Sequence, residues 1–550
     1  MAALVGVACA TAVPAHASRE DVNDAPGLDA YARGRLAEAD GALGAAASAY
    51  REAVSLDPDN IEIIRRGYRQ AVMAGDKVLA LKAAHGLDKA GELPRDGVVL
   101  LLVEAIDKGR WTDAASLIDR LDSEQNLAFL VPFMRSWVSM RDGPYDPPVV
   151  PAAEPYALFA IRYLEEQLLL QRLVLGDAGG AAEAYAQTKE RKTALGLEER
   201  WIVAARFERL GQHDLALELA ADDGAGAGNA DERLKRAIKL YRSRKLTPQT
   251  GLAKLMYRLG LDLLGQGEAT ATLSIMRMAS FADPSDEDVR VGVARAALAA
   301  GYPDTGYAEA GLLEPSAPGW LAAQAVRLQA LTDQAREEDA VALARQVAQT
   351  SGDSRADRLL GDMLARRGDF AAAAAAYRDA QKDMGDTPDA SLLLQLGGAL
   401  EQAGQWKAAR PILEKVVVLA PDSAAALNHL GYALADRGED LPEALALLEK
   451  ANRLRPQEAA FIDSLGWAFY RSGQIDKALP MLQQAAVAEP ANAEINEHLG
   501  DVLWASGRHF EARYVWRAAL VGLDGASGDE RLRVRITRKI EDGTIAPSQP

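Results

Sequence analysis

The chain has 550 residues, more than one compact core holds, so we expect several domains or one solenoid. Its formal charge of −17 argues against nucleic acid as a partner, because phosphate binding requires clustered Lys and Arg. Cys9 is the only cysteine, which excludes an internal disulfide framework and a zinc site built from several cysteines. Hydrophobic residues make up 49% of the chain but aromatic residues only 6%, and the abundant Ala favours closely packed helices.

The start of the chain has the composition of a signal peptide. Residues 1–17 carry no acidic or basic side chain, and their apolar run ends in a small-x-small pattern at Ala17. This pattern predicts cleavage before Ser18, so we expect the mature protein to be periplasmic or otherwise exported. A basic segment normally precedes such a run, and we therefore expect the natural start to lie upstream of Met1.

Cys9 leaves a second localisation open. The residues before it form a degenerate lipobox, in which Gly6 stands where Leu is favoured. If Cys9 is lipidated, the protein is an outer-membrane lipoprotein anchored through Cys9, with peripheral membrane association. If it is not, Cys9 is an ordinary residue of the apolar run and is removed on export. The run itself is too short to span a bilayer as a helix.

Behind the leader, helix pairs are predicted along most of the chain. Residues 18–141 contain loosely repeated pairs, and residues 142–155 then carry five prolines. Proline lacks an amide hydrogen and blocks helices, so this segment is predicted to be a break. Degenerate helix pairs resume over 156–350, interrupted by a Gly/Ala/Asp-rich stretch at 222–231. No strand precedes that stretch, so we interpret it as a connector and not as a phosphate-binding loop.

The clearest repeat lies in residues 351–527. Leu-Gly pairs recur there at intervals of 34 to 36 residues, with their glycines at Gly361, Gly397, Gly431, Gly466 and Gly500. An alanine follows each of these glycines after 12 or 13 residues. The period and the small-residue pattern resemble the tetratricopeptide (TPR) repeat. The resemblance implies an all-α, right-handed superhelical solenoid of antiparallel helix pairs, with degenerate TPR-like pairs in 18–141 and 156–350.

The end of the array is predicted to be covered by a capping helix over residues 528–541. Leu532, Ile536 and Ile540 are spaced four apart and therefore lie on one apolar face of that helix. A solenoid otherwise exposes a hydrophobic face at its end, and this helix would cover it. Residues 542–550 are predicted to be a disordered tail.

In the tetratricopeptide family, the first helix of each pair lines a concave groove. The resemblance implies a protein-binding groove formed by polar and aromatic residues of three repeats: Asn428, Tyr432, Asp463, Trp467, Tyr470, Arg471, Glu497, Asp501 and Trp504. Such a mixture of rigid aromatic and hydrogen-bonding groups suits peptide binding. The alternative for Trp467 and Trp504 is that they pack between neighbouring helices.

Signatures of catalysis are missing from the sequence. The chain has no Gly-x-Ser-x-Gly elbow, no His-Glu-x-x-His pair and no P-loop Gly-Lys pair. His429 and His498 share one repeat position but lie one or two repeats apart, too far to share a metal ion. We also expect that a solenoid surface does not bury carboxylates in a cluster, as an enzyme would require. The prediction is therefore no enzyme, no catalytic residue, no metal and no cofactor.

Two segments carry a closer resemblance. Residues 461–473 and 498–513 resemble the C-terminal half of a family of exported proteobacterial TPR proteins, and the similarity extends over roughly 390–520. That family includes an outer-membrane lipoprotein that serves as adaptor for a periplasmic carboxyl-terminal processing protease. The resemblance implies a scaffold that binds other proteins or peptides and presents envelope substrates, such as cell-wall hydrolases, to such a protease. The alternative is a structural subunit of an envelope export or polysaccharide-secretion assembly.

Overall fold

The computed structural model describes residues 27–142, 144–151, 156–192, 194–221, 229–382, 389–524 and 530–543. The predicted signal peptide with Cys9, most of the 222–231 connector and most of the C-terminal tail lie outside these residues. No helix within the described ranges has both the length and the apolar character that crossing a membrane requires.

Over the described residues the protein is all-α, as predicted, with 29 α-helices, one short 3₁₀ turn at Ala128–Leu130 and no strand. The helices are α1 Leu28–Ala39, α2 Leu43–Leu56, α3 Ile61–Ala74, α4 Lys77–Lys89, α5 Arg95–Asp107, α6 Trp111–Ser123, α7 Val131–Asp142, α8 Ala157–Leu175, α9 Ala178–Glu190, α10 Leu197–Arg209, α11 His213–Ala221, α12 Ala230–Tyr241, α13 Pro248–Gly265, α14 Ala269–Ala282, α15 Glu287–Ala299, α16 Pro303–Ala310, α17 Trp320–Asp333, α18 Glu337–Ser351, α19 Ser354–Arg366, α20 Phe370–Lys382, α21 Ala390–Gln402, α22 Trp406–Leu419, α23 Ala424–Arg437, α24 Leu441–Leu454, α25 Ala459–Arg471, α26 Ile475–Ala488, α27 Ala493–Ala505, α28 His509–Asp524 and α29 Glu530–Asp542.

The repeated glycines are the points at which paired helices approach most closely. A Cβ built on Gly361 would lie 2.4 Å from the Tyr377 ring, and one on Gly500 would lie 2.3 Å from the Trp516 ring. A larger side chain at either position would push the second helix of the pair away. The short turn inside a pair also uses glycine, as at Gly473, whose φ of 77° suits a residue without a side chain.

The described residues form two compact units that divide after Leu343. In the first unit, α13 and α14 pack against helices from the beginning of the chain, including α3, α5 and α7. The hydroxyl of Ser274 on α14 donates to Asp96 at 2.7 Å, and the ammonium of Lys77 donates to the carbonyl of Phe281 at 2.8 Å. Helices on both sides of the predicted proline-rich break therefore share one hydrophobic core.

The second unit contains the regular array. Its helix pairs run from α19/α20 to α27/α28. The two helices of a pair pack closely together, and each pair also contacts the next pair along the chain. The last helix, α29, packs against α28, with Ile536 fully buried and Leu532 and Ile540 half-buried against the core. These are the three residues predicted to form its apolar face, and the helix occupies the predicted capping position.

Candidate protein-binding surface

The residues predicted to line a groove lie on α23, α25 and α27, the first helices of three successive pairs. These helices contact each other in order, α23 with α25 and α25 with α27. Their spacing of one repeat therefore brings equivalent positions together on one side of the array. We call this side the inner face, defined by the residues of α23, α25 and α27 that face away from the paired helices α24, α26 and α28.

Four rings on the inner face form a continuous aromatic cluster of Tyr432, Trp467, Tyr470 and His498. Trp467 stacks on His498, with ring centroids 4.2 Å apart, and the Tyr470 ring lies 5.1 Å from the Trp467 ring at a tilt of 41°. Tyr432 lies 6.0 Å from the His498 ring. Trp467 is only 7% exposed, whereas Tyr432 and Tyr470 are half-buried. Trp467 thus packs between neighbouring helices, and the two tyrosines reach the surface.

His498 is the charged centre of the aromatic cluster, a role that sequence reasoning did not assign to it. Its Nδ1 lies 2.9 Å from a carboxylate oxygen of Asp463, and its Nε2 lies 3.5 Å from the hydroxyl of Tyr432. Burial lowers the pKa of His498, but the Asp463 carboxylate outweighs burial and raises the pKa to about 9. His498 is therefore an imidazolium at neutral pH. Asp463, predicted as a groove residue, is its buried counter-ion.

Polar groups surround the aromatic cluster. The hydroxyl of Tyr432 donates to the exposed carboxylate of Glu494 at 2.8 Å. Arg471 donates to the backbone carbonyl of Asp436, and its guanidinium lies 5.8 Å from the Trp467 ring centre. The side-chain carbonyl oxygen of Asn428 is buried and accepts no hydrogen bond from any described residue. A buried acceptor without a donor is costly, so this oxygen is suited to accept from water or from a ligand.

The predicted groove residues Glu497 and Asp501 are engaged by the capping helix. Lys539 on α29 lies 2.6 Å from both carboxylates, and Arg535 donates to Glu497 as well. Burial raises the pKa of Glu497, but the bonds from Arg535 and the charge of Lys539 lower it below its usual value overall. In this structure the two carboxylates stabilise α29 and do not face solvent.

Trp504 belongs to a separate aromatic group near the end of the array. It stacks on His509 at 4.1 Å and on Trp516 at 5.5 Å between ring centroids, and Arg513 lies over its ring at 5.1 Å. The structure thus brings Tyr432, Trp467 and Tyr470 together but places Trp504 elsewhere. For Trp504, as for Trp467, the contacts are those of helix packing.

The first unit contains a buried polar cluster, which makes the expectation of no clustered buried carboxylates wrong. Lys254 on α13 is 1% exposed, and its ammonium lies 2.8 Å from Asp286 and 3.1 Å from Asp288. Glu198 and Glu199, at the start of α10, are buried in the same place. We call these five residues the lysine cluster.

Two helix N-termini cap each other across the lysine cluster. The carboxylate of Asp288 on α15 accepts from the amides of Glu198 and Glu199, both at 3.0 Å. In return, Glu198 accepts from the amide of Glu287 at 2.6 Å. A side chain at Gly196 would collide with Asp288, since its Cβ would lie 2.1 Å from a carboxylate oxygen. These bonds satisfy amides that a helix start leaves unpaired, so the cluster is structural.

Carboxylate oxygens of Glu198, Asp286 and Asp288 lie within 4.8 Å of one another, a spacing that could hold a metal ion. The position is already filled, because the Lys254 ammonium binds Asp286 and Asp288. Burial and the nearby Glu166 raise the pKa of Glu199 to about 8, so its carboxyl is protonated at neutral pH. Burial likewise raises the pKa of Glu198 well above its usual value.

The helix pairs and the repeated glycine contacts define an all-α repeat solenoid. Residues 323–389, 394–459 and 464–530 match the family model of the tetratricopeptide repeat, so this part of the chain consists of TPR repeats. Proteins of this class generally act as scaffolds, because stacked repeats present extended binding surfaces to other proteins or peptides. A comparison with curated protein sequences gives no match.

Solved structures resemble the chain over about a third of its length or over most of it. TTC0263, a thermophilic TPR protein in Thermus thermophilus, is 27% identical over 34% of this chain and 99% of that chain, with a TM-score of 0.30. YrrB, described as a TPR protein with an unusual peptide-binding site, is 22% identical over 32% of this chain and 88% of that chain, with a TM-score of 0.26. A chain of the APC/C hetero-tetramer Cut9-Hcn1 is 15% identical, covers 94% of this chain and 97% of that chain, and has a TM-score of 0.39.

Proposed function

We propose that this protein is a non-enzymatic adaptor that binds an extended peptide segment of other proteins on the inner face of the C-terminal array. The observation that carries the proposal is the aromatic cluster, in which half-buried Tyr432 and Tyr470 flank the buried Trp467–His498 stack. Rigid aromatic rings beside hydrogen-bonding groups are typical of the residues that dominate binding at protein interfaces.

We propose two roles for the predicted groove residues. Asn428, Tyr432, Tyr470 and Arg471 reach or border the surface and are proposed to contact the ligand. Other members support them: Asp463 and Trp467 hold His498 in place, while Glu497 and Asp501 hold α29. Trp504 packs beside Trp516 and is proposed to support the end of the inner face.

Tyr470→Ala is the most direct test of the inner face. Tyr470 is half-buried at the edge of the aromatic cluster, so its loss removes part of the aromatic surface that reaches solvent. We expect partner capture by the full chain, measured by in-cell crosslinking and mass spectrometry, to fall about tenfold or more. Tyr302→Ala is the matched control, because Tyr302 is also half-buried but lies in the first unit. Equal capture of partners by the two variants would show that the inner face is not the binding surface.

The resemblance of residues 461–473 and 498–513 supports a particular partner. We propose that the adaptor acts in the periplasm or at the outer membrane and presents envelope substrates, such as cell-wall hydrolases, to a processing protease. Capture of that protease together with hydrolases, and longer hydrolase lifetimes in cells that lack the adaptor, would support this role. Capture of a fixed set of outer-membrane export components without a protease would support the alternative of a structural subunit.

The proposed location depends on the first 17 residues. We propose export through a signal peptide that is cleaved before Ser18. The N-terminus of the mature chain, determined by mass spectrometry after cell fractionation, tests this directly. A chain that begins at Ser18 in the periplasmic fraction supports the cleaved form, whereas a lipid-modified Cys9 in the membrane fraction supports the anchored form. An unprocessed chain in the cytoplasm would contradict both.

A further inference from the structure

Glu494 is an exposed carboxylate on the inner face without a cation to balance it. It lies in the first turn of α27, and its carboxylate accepts a hydrogen bond from the hydroxyl of Tyr432 at 2.8 Å. A phenol is uncharged at neutral pH, so this bond does not neutralise Glu494. Among the residues that the structure describes, no Lys, Arg or His forms an ion pair with Glu494. Its negative charge is therefore open to a ligand.

The other charged groups at the aromatic cluster and at its border with α29 already bind one another. These groups, with Glu494, are five carboxylates and four cations: Asp436, Asp463, Glu494, Glu497 and Asp501 against Arg471, His498, Arg535 and Lys539. Each of the four cations is bound by a carboxylate other than Glu494. This part of the inner face therefore has an excess of one negative charge, and Glu494 carries it.

The buried hydrogen-bonding groups that remain unpaired in the second unit are acceptors. The carbonyl oxygen of Asn428 has no donor, and the same is true of Gln395 on α21. The amide of Gln395 donates to Asp362 at 2.8 Å, which fixes its orientation and leaves its oxygen as the unpaired atom. Over the described residues of this unit, each buried side-chain polar atom without a partner is a carbonyl oxygen. Lys and Arg side chains complement such a surface, because they donate hydrogen bonds and accept none.

We propose that the segment bound on the inner face is basic, and that a Lys or Arg of this segment pairs with Glu494 beside the ring of Tyr432. The inference rests on the proposed function and adds the chemistry of the ligand. A cation at this place gains both a carboxylate and an aromatic neighbour. An acidic segment would instead face Glu494, with each of the four nearby cations already bound. The formal charge of −17 on the whole chain also attracts a basic ligand from a distance.

Selection from a display library of random peptides of about 12 residues, with the purified full chain as bait, tests the ligand chemistry. We expect Lys and Arg to be enriched about threefold among the selected peptides, and we expect Glu494→Gln to abolish this enrichment. Asp476→Asn is the matched control, because Asp476 is also an exposed acid in the first turn of a helix, α26, but lies outside the inner face. This control should select the same peptides as the wild type. Selected peptides without an excess of Lys and Arg would overturn the inference, as would equal enrichment on Glu494→Gln.

Tyr470→Ala separates this inference from the proposed function. Peptides that lose affinity for Tyr470→Ala but carry no excess of Lys and Arg would keep the inner face as the binding surface and remove only the basic ligand. Peptides that bind Tyr470→Ala as tightly as the wild type would contradict the inner face itself, and this inference with it. A selection that enriches no peptide would contradict both proposals.

A charge exchange tests the contact with Glu494 directly. The affinity of a selected peptide, measured by fluorescence anisotropy, should fall about tenfold or more with Glu494→Lys, because like charges then oppose each other. Asp476→Lys makes the same change of charge outside the inner face and should weaken binding less than about threefold, since the exposed charge is screened by salt. Replacement of one basic residue of the peptide by Glu should restore affinity for Glu494→Lys. If no such peptide binds this variant better than the original peptide does, the pairing with Glu494 is wrong. Circular dichroism should show unchanged helicity in both variants, because both side chains are exposed.

Discussion

Replacement of Lys254 by Met should destabilise the first unit strongly. Methionine retains most of the apolar volume but removes the ammonium between Asp286 and Asp288, which are 0% and 6% exposed. Removal of one partner from a buried ion pair typically costs about 3–5 kcal/mol, because the remaining charges are left without compensation. With a denaturant dependence of about 3 kcal/mol/M, the urea midpoint of the first unit should fall by roughly 1–1.7 M.

Urea unfolding followed by circular dichroism and tryptophan fluorescence measures this shift. Lys189→Met is the matched control, since Lys189 pairs with Glu218 on the surface, where both side chains are about half exposed. A surface pair contributes only about 0–1 kcal/mol, so this midpoint should move little. If Lys254→Met also changes the free energy of unfolding by less than about 1 kcal/mol, the ammonium is not the counter-ion that the geometry indicates. The account of the lysine cluster would then have to be abandoned.

Three further predictions concern pH and packing. The Glu199 pKa of about 8 lies above that of an unfolded glutamate, so the folded state retains a proton that the unfolded state loses. The free energy of unfolding of the first unit should therefore fall as pH rises from about 4.5 to 8, by at most about 1.4 kcal/mol per pH unit. The urea midpoint of Glu199→Gln should change less over this pH range than that of the wild type. The raised pKa of His498 acts in the same direction at higher pH: its contribution to stability is complete below about pH 6.5 and is lost as pH rises through 9. Thermal melts of His498→Gln should accordingly lose the pH dependence that the wild-type second unit shows in that range. Gly500→Ala should destabilise the second unit by about 1–3 kcal/mol, measured by calorimetry, because the buried Trp516 must move. Gly44→Ala is the control and should not destabilise the first unit, because the space around Gly44 is open.

The regular array could be predicted from the sequence because its determinants are local and repeat. A small residue is needed wherever two paired helices cross, so Gly361 to Gly500 mark each pair at nearly constant intervals. The capping helix was predictable for the same reason, since its apolar residues follow one helical period. In the first unit these signals are eroded, but helix periodicity still indicated helix pairs.

The lysine cluster could not be predicted, because its partners are far apart in sequence. Asp288 caps amides about ninety residues earlier, and no local pattern marks such a pair. The residues predicted to line a groove lie on α23, α25 and α27, but the sequence did not show which of them pack inside the array. Whether Glu497 faces a ligand or a cation of α29 depends on how the last helix docks. A signal for His498 did exist: it lies 35 residues after Asp463, one repeat along, where two neighbouring helices meet.

The mutual capping of α10 and α15 affects the order in which parts of the chain can fold. A chain that is synthesised from its N-terminus at about 5–20 residues per second must wait several seconds between completing α10 and completing α15. During that interval the first turn of α10 lacks its cap from Asp288, and the carboxyl of Glu198 lacks the amide of Glu287. The first unit therefore has a high contact order and should reach its final packing late. The second unit, built from neighbour contacts, can acquire structure one helix pair at a time as it emerges.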